Sequence, residues 1–280
     1  MTCAWDNLLS LLPQDMRCEV NNQGPSVLDE LRFRLGQPIE MVLNGKSTWL
    51  VRKAKQEDLS FVVNSASRYS PWSASTAANG YITATGGHRI GICGACVVQN
   101  GFMTGFSKVT SLCIRVAKDF PGIGGDCDLS GSVLVLGPPG SGKTTLLRDL
   151  IRRRSDAASG SVAVVDERGE LFPVGADFYK GRCTDVLTGC SKEHGVDTVL
   201  RTMGPSVIAL DEITAKSDCE SLIRAAWCGV DLMATAHASN VQDFLQRPIY
   251  KPLAESGLFP TVLILSRDKS WRRERMRLCM

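Results

Sequence analysis

The sequence predicts an α/β protein in two parts: a smaller α+β domain over residues 1–125 and a larger domain with a parallel sheet over residues 126–280. Three observations predict it. Short, continuously apolar runs recur in the second part ("SVLVL", "VAVVD", "SVIAL", "VDLMATAH", "TVLILS") and alternate with helical stretches; strands buried on both faces of a parallel sheet read this way. The first part mixes turn-bounded strands with an amphipathic helix pattern. Between them, "PGIGGDCDLSGS" (Pro121–Ser132) is a glycine-rich linker.

In the first part, "PIEMVLNG" reads as a strand and turn, and "KQEDLSFVVNSASRYS" places Leu59, Val62, Val63 and Ala66 at helical three-four spacing. "GYITATGGHRIGICGACVVQNG" reads as strand, glycine turn, strand, glycine turn, and "SLCIRVA" as a further strand. In the second part, "SVLVL" leads through a loop to the helix "KTTLLRDLIRRR", whose arginines 152–154 suit a helix C-terminus. After the second and third strands comes a helix around "DCESLIRAAWC", with Cys219, Leu222, Ile223, Ala226 and Trp227 on one face. Two more apolar strands follow. The tail arginines Arg272, Arg273, Arg275 and Arg277 read as a solvated helix end, with contact to anionic lipid or a partner as the alternative.

Bulk properties narrow the function class. A chain of 280 residues with 44% hydrophobic and 22% charged residues is globular rather than disordered. A net charge of +3 gives no reason to expect a general nucleic-acid binder. No run approaches the roughly 18 apolar residues of a membrane span, and the N-terminal stretch has no secretion-signal pattern, so a cytoplasmic protein with reduced thiols is expected. Of the 11 cysteines, Cys93 and Cys96 form one C-x-x-C; a structural zinc site needs a second pair or spaced histidines, and none is evident.

The chemistry begins at "GPPGSGKTT", Gly137, Pro138, Pro139, Gly140, Ser141, Gly142, Lys143, Thr144 and Thr145, which fits G-x-x-x-x-G-K-[ST] in full between a strand and a helix. Such a loop curls backbone N–H groups around phosphate oxygens at a helix N-terminus. Lys143 is expected to reach the β- and γ-phosphates of ATP, and Thr144 to bind Mg²⁺.

Ligands gather at the carboxyl ends of parallel strands, and two strands here run into acidic pairs. "SVIAL" runs into Asp211-Glu212: Asp211 to hold Mg²⁺, Glu212 to orient or deprotonate the attacking water, an arrangement for hydrolysis, with a helix N-cap pair as the bland alternative. "VAVVD" runs into Asp166-Glu167, which serve either as a second acidic group near the γ-phosphate or metal, or as a strand-end cap or ion pair with Arg168. The strand "VDLMATA" delivers His237 to the same end, positioned to hydrogen-bond the γ-phosphate or the attacking water; a core histidine is the alternative. His88 reads as a turn residue and His194 as an exposed loop residue.

The order of these motifs resembles the secretion-ATPase superfamily, the motor ATPases of type II and type IV secretion and of pili. In that resemblance Gly137–Thr144 is the phosphate loop, Asp166–Glu170 the acidic box, Leu200-Arg201 through Glu212 the metal motif, and Thr235–His237 the histidine box. "LDELRFRLGQPIEMVLNG", "GYITATGGHRIGICG", "SLCIRVAKD", "VVDERGEL", "RCTDVLTGCSKEHG" and "MGPSVIALDEI" together resemble one branch, the stage III sporulation AA family, over nearly the whole chain. The resemblance implies a RecA-like P-loop NTPase domain after a smaller α+β N-terminal domain. It implies an ATP- and Mg²⁺-dependent ATPase assembled as a ring, a hexamer, with membrane proteins of a sporulation channel as partners, no nucleic acid, and a peripheral place at the membrane. It also implies that Arg89 and Arg115 reach the nucleotide, with Arg201 and Arg247 as alternatives and salt bridges or stem packing as the bland reading. "LDEI" departs from the general superfamily in placing Asp where Gly is frequent, and "RDKSWRRERMRLCM" departs from the branch. A nucleotide-dependent structural ring with little turnover is the runner-up; a DNA-translocating motor and a small-molecule kinase are disfavoured by modest charge and the lack of an acceptor site or lid.

Overall fold

The structure is a computed structural model and describes residues 1–67, 80–157 and 160–276. It divides into two compact units, Met1–Asp119 with Pro173–Phe178, and Phe120–Phe172 with Tyr179–Met280. The first unit thus closes ahead of residue 125, and a short segment of the second part returns to it.

The first unit holds an antiparallel six-stranded sheet in the order β3-β2-β1-β6-β5-β4. Its strands are β1 (Leu28–Arg34), β2 (Pro38–Leu43), β3 (Lys46–Lys53), β4 (Tyr81–Thr83), β5 (Arg89–Gln99) and β6 (Phe102–Arg115). Helices α1 (Trp5–Ser10), α2 (Gln14–Asn21) and α3 (Gln56–Ser67) accompany it. Leu59, Val62 and Ala66 of α3 are buried with Leu31, Phe33 and Ile90 in one core, the one-sided burial that the three-four spacing dictates. The end of the expected helix, residues 68–70, lies outside the described residues. His88 is fully buried: Ala117 N–H donates to its Nδ1 at 3.2 Å, so Nε2–H donates to Ala4 O at 2.9 Å. Burial pushes its pKa down, which suits this neutral, structural tautomer.

The second unit is a seven-stranded sheet in the order β13-β12-β7-β11-β10-β8-β9. Strands β7 (Val133–Leu136), β8 (Val162–Asp166), β9 (Thr184–Thr188), β10 (Val207–Leu210), β11 (Asp231–Ala236) and β12 (Thr261–Leu265) are parallel. Every residue of β7, β8, β10 and β12 is buried, as strands covered on both faces must be. The helices are α4 (Lys143–Asp156), α5 (Lys192–Thr202), α6 (Lys216–Trp227), α7 (Val241–Gln246) and α8 (Lys251–Ser256). Gly195 in α5 has a packing reason: a Cβ there would meet Val165 Cγ1 at 2.4 Å, so only glycine lets α5 lie this close to β8.

Several expectations are corrected. The linker is strapped onto α4, which is why it divides with the second unit. Asp149 accepts from Gly122 N and Gly124 N at 2.8 Å each, and Arg153 donates to Gly124 O and Cys127 O at 3.1 and 3.2 Å. Arg154 donates to Leu129 O and to Asp231 Oδ2, so these arginines pin a loop as well as completing a helix end. Trp227 is 80% exposed; α6 buries Cys219, Leu222 and Ala225, a stripe rotated away from Trp227. The basic tail is strand β13 (Trp271–Arg275), antiparallel to β12, rather than a helix end. There Arg272 pairs with Glu274 and Arg273 with Asp128, while Arg277 lies outside the described residues. His194 is exposed but belongs to the first turn of α5, where Ser191 Oγ accepts its N–H at 3.4 Å.

Candidate functional site

Sheet register alone brings the motifs together. Ala236 of β11 pairs with Leu136 of β7, so the next residues, His237 and Gly137, leave the sheet side by side. Leu210 of β10 pairs with Ala234 of β11 and with Val165 of β8, which sets Asp211 between Thr235 and Asp166. The phosphate loop, the histidine and both acidic pairs therefore share one carboxyl edge, where a parallel sheet places its ligands.

The loop itself turns on Gly140 and Gly142, at φ 74° and 98°, and Gly142 caps α4. Gly137 is required by closeness: a Cβ would meet Ser141 Oγ at 2.6 Å. Two hydrogen-bonded chains leave this loop. In the first, Thr144 Oγ1 donates to Asp211 Oδ2 at 2.7 Å, Thr235 Oγ1 donates to Asp211 Oδ1 at 2.6 Å, and Glu212 N–H donates to Thr235 Oγ1 at 2.8 Å. Asp211 is thereby held by two hydroxyls. Glu212 sits at φ 51°, the left-handed region that a residue with a Cβ avoids at a cost of about 1–3 kcal/mol. The bonds to Thr235 on either side, Glu212 N to Oγ1 and Ile213 N to the carbonyl O at 2.8 Å, hold it there.

In the second chain, Lys143 Nζ donates to Pro138 O and to His237 Nδ1, both at 3.0 Å, and His237 Nε2 lies 2.8 Å from Glu212 Oε1. An ammonium can only donate. Nδ1 is therefore the acceptor, and the proton on Nε2 points at Glu212. Burial pushes the Lys143 pKa down; Asp211 and Glu212 partly restore it. The backbone of His237 is fixed by Tyr250, whose hydroxyl accepts from His237 N and donates to Ile213 O, each at 3.3 Å.

The second acidic pair divides its work. Asp166 is buried and accepts three backbone N–H groups, from Glu170, Leu171 and Phe172 at 2.8, 3.0 and 2.9 Å. Burial nevertheless pushes its pKa up, and the charge of Asp211 adds to that. Asp166→Ala should unfold this loop locally and lower stability by roughly 2–4 kcal/mol, through loss of charge-assisted acceptors for buried donors; a denaturant melt with an unchanged midpoint would contradict it. Glu167 pairs with Lys192 at 2.8 Å, not with Arg168. A cleft at this edge is lined by Asp166, Glu167, Arg168, Glu170, Lys192, Asp211 and Glu212.

Arg89 and Arg115 belong to the first unit, where they are direct cross-strand partners on β5 and β6. Arg89 lies over the Tyr81 ring at 4.2 Å, and Arg115 pairs with Glu30 at 3.5 Å while 65% exposed. Arg201 is exposed, and Arg247 pairs with Asp243 at 2.9 Å. Cys93 and Cys96 are exposed, and among the described residues no group of three or more His, Cys, Asp and Glu forms a metal cage. Lys192 and Tyr250 escape sequence reasoning: neither belongs to a motif, and Tyr250 closes a short 3-10 turn begun by Pro248, so only the folded chain reveals their contacts.

Comparison with known proteins agrees with the motif order. The family model described as "Sporulation stage III, protein AA" matches residues 6–275. Stage III sporulation protein AA of Bacillus subtilis (strain 168) is 32% identical over 281 residues, covering 94% of this chain and 92% of that protein. Among solved structures, the ATPase DotB of Yersinia pseudotuberculosis is similar with a TM-score of 0.59 at 18% identity, over 93% of this chain and 77% of that one. The pilus retraction motor PilT with bound ADP is similar with a TM-score of 0.59 at 16% identity, over 89% and 76%. At such identities the structures establish the shared fold alone, a RecA-like parallel-sheet domain with a smaller antiparallel domain. Among the described residues no helix is long and apolar enough to cross a membrane. The near-complete family match and the full-length identity to the Bacillus protein show that this chain belongs to the stage III sporulation protein AA family.

Proposed function

We propose that this chain is a Mg²⁺-dependent ATPase of the secretion-motor kind, acting as a ring on membrane proteins of a sporulation channel. The observation that carries the reading is the unbroken chain Lys143–His237–Glu212, which ties a phosphate-loop lysine to a carboxylate through one imidazole. The oxygen pair of Thr144 and Asp211, 2.7 Å apart, suits Mg²⁺, which takes one or two protein oxygens and fills the rest of its shell with water and phosphate. Bound Mg²⁺–ATP would supply the scissile phosphoanhydride and neutralise its charge.

The protein's own residues do the rest. Backbone N–H groups from Gly140 to Thr145 cradle the phosphates, and Lys143 turns to them from Pro138 O and His237. Glu212, held in its strained conformation, orients water and accepts its proton. His237, donating from Nε2, fixes the Glu212 carboxylate and couples it to the phosphates and to α7 beyond. Glu167 is the second carboxylate of the site. The positive charge that the γ-phosphate needs in the transition state is assigned to Arg89 and Arg115 on the family resemblance alone.

His237→Ala tests the reading. ATP turnover should fall about 10²-fold, with KM within about threefold, because the bond to Glu212 serves the chemical step. Equal loss of kcat and affinity, or loss of stability alone, would return His237 to a packing role. Nucleotide binding by the wild type without phosphate release, with or without membrane partners, would favour the alternative of a structural ring.

A further inference from the structure

We infer that Lys192 is a positioning residue for Glu167, setting that carboxylate in the cleft beside Asp211 and Glu212; the inference rests on the ATPase reading above. Lys192 is the first residue of α5 and only 6% exposed. Both features are unfavourable for a lysine. Burial strips water from the ammonium, and the positive end of a helix dipole repels it. Its ammonium donates to Glu167 Oε2 at 2.8 Å and to Thr214 Oγ1 at 3.5 Å, and the Asp218 carboxylate lies 3.9 Å away as a charge partner.

Each partner belongs to a different part of the same edge. Glu167 follows β8. Thr214 lies two residues beyond Glu212, and Asp218 Oδ2 accepts from Thr214 N and Ala215 N at 2.9 and 3.0 Å as it caps α6. Lys192 thus ties the β8 end to the loop that carries Glu212. Asp166 spends its carboxylate on three backbone N–H groups, so Glu167 is the member of the pair with an oxygen left for the cleft: Lys192 engages Oε2 and leaves Oε1. A lysine at this place governs where that oxygen points.

The test compares the wild type with Lys192→Met, Lys192→Arg, Glu167→Gln and the Glu167→Gln/Lys192→Met double variant. ATP turnover is measured, and so is binding of a non-hydrolysable ATP analogue across a range of Mg²⁺ concentrations. Lys192→Met should lower kcat about tenfold, in the range of supporting residues around a metal site, with KM changed less than about twofold. It should also raise the Mg²⁺ concentration needed for half-maximal analogue binding, as Glu167→Gln does. Lys192→Arg should recover part of both effects, and the double variant should be no worse than Glu167→Gln alone. Additive losses, no effect, or a fall in melting temperature that accounts for the loss would overturn the assignment. If the wild type binds the analogue without turning ATP over, hydrolysis fails as a reading, and the Mg²⁺ dependence still decides on Lys192. A wild type that binds no analogue overturns both.

Discussion

Glu212→Gln is expected to lower ATP turnover by about 10²–10³-fold while leaving affinity for a non-hydrolysable analogue within about twofold. General-base catalysis by a positioned carboxylate is worth this much, and the amide keeps the size and one acceptor of the original side chain. The amide cannot take up a proton, but its oxygen can still receive the Nε2–H of His237, so the surroundings remain in place. A second substitution separates strain from chemistry. Glu212 lies at φ 51°, so Glu212→Gly should be neutral or stabilising by up to about 1 kcal/mol while turnover is lost. Phosphate release, analogue titration and a denaturant melt give the three readouts. Wild-type turnover in Glu212→Gln would remove Glu212 as the base. A destabilised Glu212→Gly would show that the left-handed backbone is not under strain.

Lys143→Ala has the second large effect, and it differs in kind. Turnover should fall by at least about 10²-fold, and affinity should fall as well, by roughly 10-fold or more, since a charge-assisted hydrogen bond to phosphate is worth about 1.5–3 kcal/mol. The fold should survive. Burial already works against this ammonium and pushes its pKa down, so its removal relieves desolvation even as Pro138 O and His237 Nδ1 lose a donor. The joint loss of affinity and rate sets Lys143→Ala apart from His237→Ala, where rate alone should suffer. A Lys143→Ala protein that hydrolysed ATP at the wild-type rate would place the site elsewhere. Calorimetric titration with ATP analogues and steady-state kinetics on the same preparations make the comparison.

Most of the second unit is legible in the chain. The apolar runs are strands because each is buried on both faces, and the phosphate loop is recognisable because its glycines answer steric demands local to the loop. His237 and Asp211-Glu212 could be expected at one edge because each ends a parallel strand. The misreadings share a cause. The arginine-rich tail has the composition of a solvated end, yet β12 offers it an unpaired edge, and backbone pairing there outweighs local preference. Trp227 suits the helical spacing, but the stripe that α6 buries is chosen by its neighbours, not by its own periodicity. "KEHG" reads as an exposed loop, yet α5 opens there, and Gly195 in its first turn serves close packing on Val165.

By itself the sequence determined the parallel sheet, the phosphate loop and which residue types end its strands, because these follow from local sterics and from the burial of apolar runs. Only the tertiary structure decided how the titratable groups divide their work. Asp166 became the acceptor for a loop, Glu167 the partner of Lys192, and His237 the bridge between Lys143 and Glu212. Hydrogen bonds act over about 3 Å between residues far apart in the chain, and their pairing is set by strand order and register, which no local stretch encodes.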